Sequence, residues 1–579
     1  MSKLLLENLH VIAESVGGVR RLRELFLELA VRGDLLSQHP GDETATELLR
    51  RIVARKQELV NRGTLRKKSH PAVTADDQPY KIPRNWEWVS FGCVLEKISD
   101  GTHHSPPSFA HGEHMYITAK NLRSWGMDLT NVTFVSQQDH DEIYSRCDPE
   151  FGDLLLVKDG ATTGVAVINT VREPFSMLSS VALLKPGPLL SSKYVLAYLR
   201  SPNFRASIRA SMTGIAITRI TLSRLASFPF PLPPLAEQDR IATRLDELMV
   251  LCDKLEEKER ASAAAREQLT RSALFTLIQP DSALAPAWNL VSQYFEILFP
   301  TVESVEQLRN VILELAVQGR LVPQDPNDEP ASELVEQISD EKKGLISAGM
   351  LKPQRLTHQT VSDWKPDVLP DGWQWVKLSD VSMQVTDGTH HTPQYLSGGV
   401  PFISVKDIDG STVSFKDCKF ISQIEHQSIN ARCNPKRNDL LICRIGTIGR
   451  PTIVDTDRAF SLFVSVGLIK MTRVPGVSQY VHRVLSSPLL YRQYDHVKAG
   501  GSHTNKLNLS VIPNLEIPLP PLREQARIVA KVDELFALCD ELEARISGSA
   551  RANASLVSAL TLEASSLNGG VETDGQASQ

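Results

Sequence analysis

Apolar residues recur along this chain in three textures, and each texture is written twice. The first is a helical stripe. Leu22, Leu25, Phe26, Leu29 and Ala30 return at three- and four-residue steps, the spacing of one helix face, and Gly33 is a natural stop. A second helix is predicted after Pro40-Gly41-Asp42, carrying Leu48, Leu49, Ile52 and Leu59. The equivalent pair later in the chain is predicted over Val305 to Gln318 and Ala331 to Ile346. Polar stretches holding Arg66-Lys67-Lys68 and Lys342-Lys343 follow the two pairs and end at Pro83 and Pro370; both read as linkers.

The second texture is short and β-rich. Asp153-Leu154-Leu155-Leu156-Val157 and Asp439-Leu440-Leu441-Ile442-Cys443 are its clearest runs, punctuated by Gly160 and Gly164 in one copy and Gly446 and Gly449 in the other. Each such module opens on Trp-x-Trp-Val, at Trp86 and at Trp373, and holds one predicted helix, Ser191 to Ile208 or Ser478 to Tyr494. Each closes on a proline-rich exit, Phe228 to Pro234 or Pro513 to Pro521, where proline is expected to end the strands and pre-set a helical turn.

The third texture is a seam. Ile241, Leu245, Leu248, Cys252 and Leu255 step by four and three, and Ile528, Val532, Leu535, Cys539 and Leu542 repeat the rhythm. An a/d seam predicts two long helices that pair with each other. The alternative is an amphipathic helix lying on its own domain.

These textures repeat at a fixed distance. Pro231 to Glu256 and Pro518 to Glu543 match at 17 of 26 positions, 287 residues apart, and the same offset carries Asp100-Gly101-Thr102-His103-His104 onto Asp387-Gly388-Thr389-His390-His391. The period is far longer than the roughly 20–50 residues of a solenoid repeat. It implies a whole-unit duplication and pseudo-twofold symmetry, suited to a partner with two related halves.

Composition narrows the function classes. A chain of 579 residues with 42% hydrophobic and 23% charged content is ordinary multidomain globular protein. It contains no apolar run of about 18 residues and no secretory start, so a cytoplasmic location without membrane contact is expected. The seven cysteines form no Cys-x-x-Cys pair and read as buried thiols. The net charge of −5 argues against a simple basic DNA-coating protein. Charge is unevenly spread, however. Residues 80–235 carry 15 Lys+Arg against 13 Asp+Glu, residues 368–522 carry 16 against 12, and the remainder is acidic.

Catalytic signatures are missing. Ser105-Pro106-Pro107-Ser108 lacks the aromatic that an amino-methyltransferase needs beside its prolines, and its second copy reads Thr392-Pro393-Gln394. No Gly-x-x-x-x-Gly-Lys-Ser/Thr phosphate loop exists. The His-His pairs lack the further cysteines or acids of a metal site, so no metal is expected.

Pro-Leu-Pro-Pro-Leu-x-Glu-Gln before a seamed helix, present twice and each time closing a module, resembles the specificity (S) subunit of type I restriction-modification enzymes. The Asp-Gly-Thr-His-His elements and the glycine-bearing segments Thr213-Gly214-Ile215-Ala216 and Gly500-Gly501-Ser502-His503 share in the resemblance. It implies an α+β fold: two pseudo-twofold-related mixed α/β target-recognition domains joined by long antiparallel, coiled-coil-like helices. The expected boundaries are an N-terminal helical region at 1–79, recognition domains at 80–235 and 368–522, a central helical region at 236–367, a C-terminal helix at 523–566 and a disordered tail at 567–579.

The resemblance also implies a division of labour. Each recognition domain reads one half of a split double-stranded DNA site, and the chain itself is neither catalytic nor cofactor-binding. Two modification subunits would use S-adenosylmethionine, and two restriction subunits ATP and Mg. Unbroken from Ala236 to Leu277, the first long helix would span about 63 Å at ~1.5 Å per residue, against about 34 Å for one DNA turn. The competing reading is a stand-alone DNA-binding regulator, which the acidic net charge disfavours.

Groove reading calls for Arg or Lys on guanine, Asn or Gln on adenine and Ser or Thr on either, with cations on phosphate. The first-module candidates are Thr102, His103, Lys120, Asn121, Arg123, Lys158, Thr162, Thr163 and Arg219. The second-module candidates are Thr389, His390, Lys406, Asp407, Arg444, Thr447, Ser502, His503, Asn505 and Lys506. For each, an ordinary solvated loop residue is the competing reading. Because Asn121 becomes Asp407 and Lys158 becomes Arg444, related but non-identical half-sites are expected.

Overall fold

The computed structural model describes residue 12 and residues 17–212, 219–279, 283–353, 369–501 and 504–566. The tail 567–579, the Thr213–Ala216 segment, Ser502 and His503 lie outside the described residues. The chain divides into two compact units. One runs to Ser262 and takes in the end of the chain from Ala550; the other spans Ala263–Ser549. Among the described residues no helix is long and apolar enough to cross a membrane.

In the first unit the predicted stripe forms the helix Gly18–Arg32, and Gly33, at φ 80°, ends it by turning its N–H back to Leu29 and Ala30 carbonyls. The second helix, Ala45–Asn61, is capped by the Thr44 hydroxyl, which accepts from Glu47 N–H. These helices are not a separate layer. Leu22, Leu25, Phe26 and Leu29 share one apolar core with Leu154, Leu156, Ala182 and Tyr194 of the module.

The module starts and ends in one ribbon: β1 (Glu87–Ser90) pairs antiparallel with β11 (Pro229–Leu232). Between them lies an antiparallel sheet in the order β2 (Lys97–Asp100), β10 (Val181–Lys185), β7 (Leu154–Val157), β8 (Ala166–Ile168). A smaller sheet orders β6 (Thr133–Val135), β3 (His114–Ile117) and β9 (Ser176–Met177), and β4 (Leu122–Arg123) with β5 (Gly126–Met127) makes a hairpin. The unbroken apolar run of β7 has a simple cause. Leu154 and Leu156 face the core shared with the helices, while Leu155 and Val157 face a second core with Ile117, Phe175 and Leu183.

The second unit repeats this plan. The ribbon is β12 (Gln374–Lys377) with β22 (Glu516–Leu519), and the main sheet orders β13 (Ser382–Asp387), β19 (Val466–Met471), β16 (Leu440–Cys443) and β17 (Gly449–Ile453). A three-stranded sheet of β15 (Lys419–Ile421), β14 (Val400–Ile403) and β18 (Ser461–Leu462) accompanies it, with a ribbon of β20 (Ala499–Gly501) and β21 (Thr504–Lys506).

Three expectations are corrected. Lys342 and Lys343, read as part of a linker, lie inside the helix Ala331–Ser347, where Lys342 Nζ donates to Ser379 O at 2.9 Å. The single helix predicted over Ser191 to Ile208 is two, Ser192–Arg200 and Pro202–Ser211, and its counterpart is Val477–Leu485 and Pro488–Val497. Pro202 and Pro488 each sit at a first helical turn, and proline drives the residue before it out of helical geometry. The proline-rich exits do not end the strands but form them. Pro229 and Pro231 are tolerated because a two-stranded ribbon leaves one edge unpaired, and Tyr198 and Tyr194 hydroxyls donate to their carbonyls at 2.8 Å.

The long helices run Leu235–Ile278 and Leu522–Ser566, 44 and 45 residues. Either spans about 66 Å at ~1.5 Å per residue.

Candidate nucleic-acid interface

Each main sheet gathers its loops at one end. In the first unit the register sets Asp100 at the end of β2 opposite Ala182, Val157 at the end of β7 opposite Val181, and Ala166 at the start of β8 opposite Leu156. The turn Leu178-Ser179-Ser180 ties three loops there. Ser179 N–H donates to Thr102 O at 2.8 Å, Lys158 N–H to Ser180 O at 2.9 Å, and Ala119 N–H to Ser180 Oγ at 3.4 Å. In the second unit Val464 N–H donates to Thr389 O at 3.0 Å and Arg444 N–H to Ser465 O at 2.9 Å. Arg219 joins the first cluster by bridging Asp159, and Lys506 the second by bridging Ile445.

A buried carboxylate sits inside each cluster. Asp100 accepts from Arg146 at 2.7 Å, with Lys158 Nζ and His103 Nε2 each 3.5 Å away. Asp387 meets Arg432 at 3.1 Å, His390 Nε2 at 3.1 Å and the Arg444 guanidinium. An unpaired buried carboxylate would carry an effective penalty of several kcal/mol, which these cations offset. The glycine of Asp-Gly follows from space. A Cβ on Gly101 would lie 1.7 Å from Met177 O, and one on Gly388 2.0 Å from Leu462 O. The threonine then closes the turn: Thr102 Oγ1 lies 3.1 Å from His104 Nδ1, and Thr389 Oγ1 2.8 Å from His391 Nδ1. The second histidine of each pair is thereby held to the turn, while the side chains of His103 and His390 stand 64% and 67% exposed.

The structure sorts the candidates. His103, Lys120, Arg123, Thr162 and Arg219 are exposed and Thr163 is half-buried, its hydroxyl donating to Gly160 O. His390, Lys406, Thr447, Asn505 and Lys506 are exposed in the second unit. Thr102, Asn121, Lys158, Thr389 and Arg444 are buried. Asn121 Oδ1 accepts from Thr118 N–H at 3.0 Å, and Asp407 Oδ2 accepts from Ser404 N–H at 2.7 Å. The exchanges Asn121 to Asp407 and Lys158 to Arg444 therefore fall on residues bonded within the protein, where asparagine and aspartate serve the same turn. Arg146 and Arg432, which hold the buried carboxylates, were not singled out from the sequence. The repeated Arg-Cys at 146–147 and 432–433 was the available signal.

The seam residues have a different setting from the one expected of a helix pair. Ile241, Leu245, Leu248 and Cys252 belong to the first unit's core with the Gly18–Arg32 stripe, and Leu255 is 38% exposed. Arg23 of that short helix donates to Asp253 at 2.6 Å and Glu256 at 3.0 Å. Ile528, Val532 and Cys539 sit likewise in the second unit's core, with Leu535 and Leu542 packed at its margin and Arg309 reaching Asp540 at 2.6 Å. The seam is thus a face on which each helix lies against its own unit. The Glu-Gln of the repeated motif fastens it there. Trp86 Nε1 donates to Glu237 and Trp373 Nε1 to Glu524, each at 3.0 Å. Burial pushes the Glu237 and Glu524 carboxyls above the usual carboxylate range, against the pull of those bonds and of bonds from Gln38 and Gln324.

Known proteins share this plan. The model of the Type I restriction modification DNA specificity domain matches residues 85–264 and 370–549. The specificity subunit of the type I restriction enzyme EcoAI of Escherichia coli is 32% identical, over 94% of this chain and 93% of its own. That of EcoEI, also of Escherichia coli, is 30% identical over the same shares. A chain solved in a study of complex assembly and conformational transition of the type I R-M system shares the fold, with a TM-score of 0.50 and 17% identity over 84% of this chain and 99% of that one. With two matched domains falling on the two duplicated modules, and relatives aligned along nearly its whole length, the chain belongs to the family of type I restriction-modification specificity subunits.

Proposed function

We propose that this chain is the non-catalytic, sequence-reading subunit of a type I restriction-modification complex, each module reading one half of a split, asymmetric DNA site. The duplicated loop cluster carries the reading. Two sheet ends, built alike around a buried carboxylate, each present exposed cations, histidine and hydroxyls. We assign DNA contact to the exposed groups, His103, Lys120, Arg123, Thr162 and Arg219 in one module and His390, Lys406, Thr447, Asn505 and Lys506 in the other. The buried ones, Thr102, Asn121, Lys158, Thr389 and Arg444, shape the loops that carry them. Arginine and lysine suit guanine edges and phosphate; the hydroxyls suit any base.

Two modification subunits would dock along the long helices, which set the spacer between the half-sites, and two restriction subunits would complete the complex. S-adenosylmethionine, ATP and Mg would be used by those partners. The test is methylation mapping. The chain is co-expressed with its modification subunit, and the host DNA is sequenced for N6-methyladenine. Methylation at one split motif that disappears without this chain supports the assignment. A chain that fails to copurify with the modification subunit, yet binds DNA alone, would favour the regulator.

A further inference from the structure

The two modules hold matching hairpins at matching points but arm them differently. In the first, Arg200 donates to Ser124 O at 2.8 Å and to Ala166 O at 3.1 Å. In the second, His482 Nε2 lies 3.2 Å from Gly410 O and 2.9 Å from Pro451 O. These carbonyls are equivalent. Val167 opposes Leu155 as Thr452 opposes Leu441, so Ala166 and Pro451 hold one place in their sheets. The hairpin bases also match, Asp128 N–H donating to Asn121 O and Ser414 N–H to Asp407 O, each at 2.8 Å. Both tips are therefore fixed beside the loop-bearing end of the sheet.

Their chemistry differs. The first tip carries Trp125, 71% exposed, and Arg123, whose half-exposed guanidinium stands 3.6 Å from Asp128. At the equivalent places the second tip has Ser411 and Asp409, and Asp409 is folded back onto the Ser411 and Thr412 N–H groups. A partner that docks on both modules alike has no use for a feature present on one. The half-sites of an asymmetric DNA sequence are the part of the target that differs between modules. An exposed tryptophan beside a cation is also suited to a base edge or face.

We infer that the Arg123–Trp125 hairpin is a specificity element of the first half-site alone. It enters the major groove, which admits a two-stranded ribbon, with the Trp125 ring against base edges and Arg123 directed at a guanine edge. This rests on the DNA-reading assignment above.

The experiment uses the full chain with its modification subunit and three duplexes: the mapped site, that site with its first half scrambled, and that site with its second half scrambled. Trp125→Ala is expected to weaken binding to the intact site roughly ten- to a hundredfold. Its preference over the first-half scramble should shrink by that same factor, and its preference over the second-half scramble should stay at the wild-type value. Trp125→Phe should recover part of the loss, and neither variant should shift the unfolding midpoint. Binding within twofold of wild type with both preferences kept overturns the inference while leaving DNA reading intact. So does an equal loss of both preferences. A wild-type complex indifferent to either half overturns the DNA-reading assignment and this inference with it.

Discussion

Replacing Arg444 by alanine separates shaping from reading. Its side chain is 5% exposed, bonded to Asp387, and it donates to Leu507 O and Val464 O, each at 3.2 Å. Removing one partner of a buried ion pair costs about 3–5 kcal/mol, and each orphaned carbonyl would add about 1–3 if nothing replaced the donor. Arg432 stays 3.1 Å from Asp387 and softens the loss, so a net destabilisation of about 3–5 kcal/mol is expected for the second unit. Lys158→Ala is the internal comparison. Its Nζ donates to Asp159 at 3.1 Å and stands 3.5 Å from Asp100, which keeps Arg146 at 2.7 Å, and among the described residues its amine meets no backbone carbonyl. About 1–2 kcal/mol is expected there. Because a chain of two units need not unfold in one step, hydrogen exchange is the assay, following β13 and β16 in one variant and β2 and β7 in the other. Arg444→Ala should lose protection in the second unit only, and more than Lys158→Ala loses in the first. Unchanged protection together with a changed second half-site would refute the reasoning and make Arg444 a base reader.

Three further outcomes follow from the same geometry. Gly101→Ala sets a methyl 1.7 Å from Met177 O, so a loss at or above the upper end of the roughly 1–3 kcal/mol of ordinary overpacking is expected, read as a lower unfolding midpoint or poor soluble yield. Burial holds His140, His426 and His482 below the ordinary histidine value. Their folded forms bind fewer protons, so their contribution to stability is full above about pH 6.5 and is lost as pH drops from there through their depressed values. Unfolding midpoints at pH 7.5 and pH 5.5 check this, and a higher midpoint at the lower pH would contradict it. Burial pushes the Cys147 and Cys433 thiols up to about 11 and about 12, so both should resist alkylation near neutral pH until the protein unfolds. Mass-spectrometric labelling with and without denaturant reads the difference.

The sequence by itself determined what is local or repeated. The stripe at Leu22 to Ala30, the seam from Ile241 and the fixed offset between copies are all periodic signals, and a period survives without knowledge of neighbours. The breaks before Pro202 and Pro488 are local as well, since a proline's effect on the residue before it needs no tertiary contact, yet the apolar spacing that runs on across them reads as a single helix. Tertiary structure decided the rest. An apolar seam looks the same whether a distant helix or its own unit covers it, and only contacts such as Arg23 with Asp253 identify the cover. The loop cluster depends on strand register, which sets Asp100 opposite Ala182 across 82 positions of chain that no local pattern spans. Lys158 and Lys120 are the same residue type in loops of similar texture. The fold buries one against Asp100 and leaves the other in solvent, because one follows a central strand into the sheet end and the other lies within a surface turn capped by Thr118.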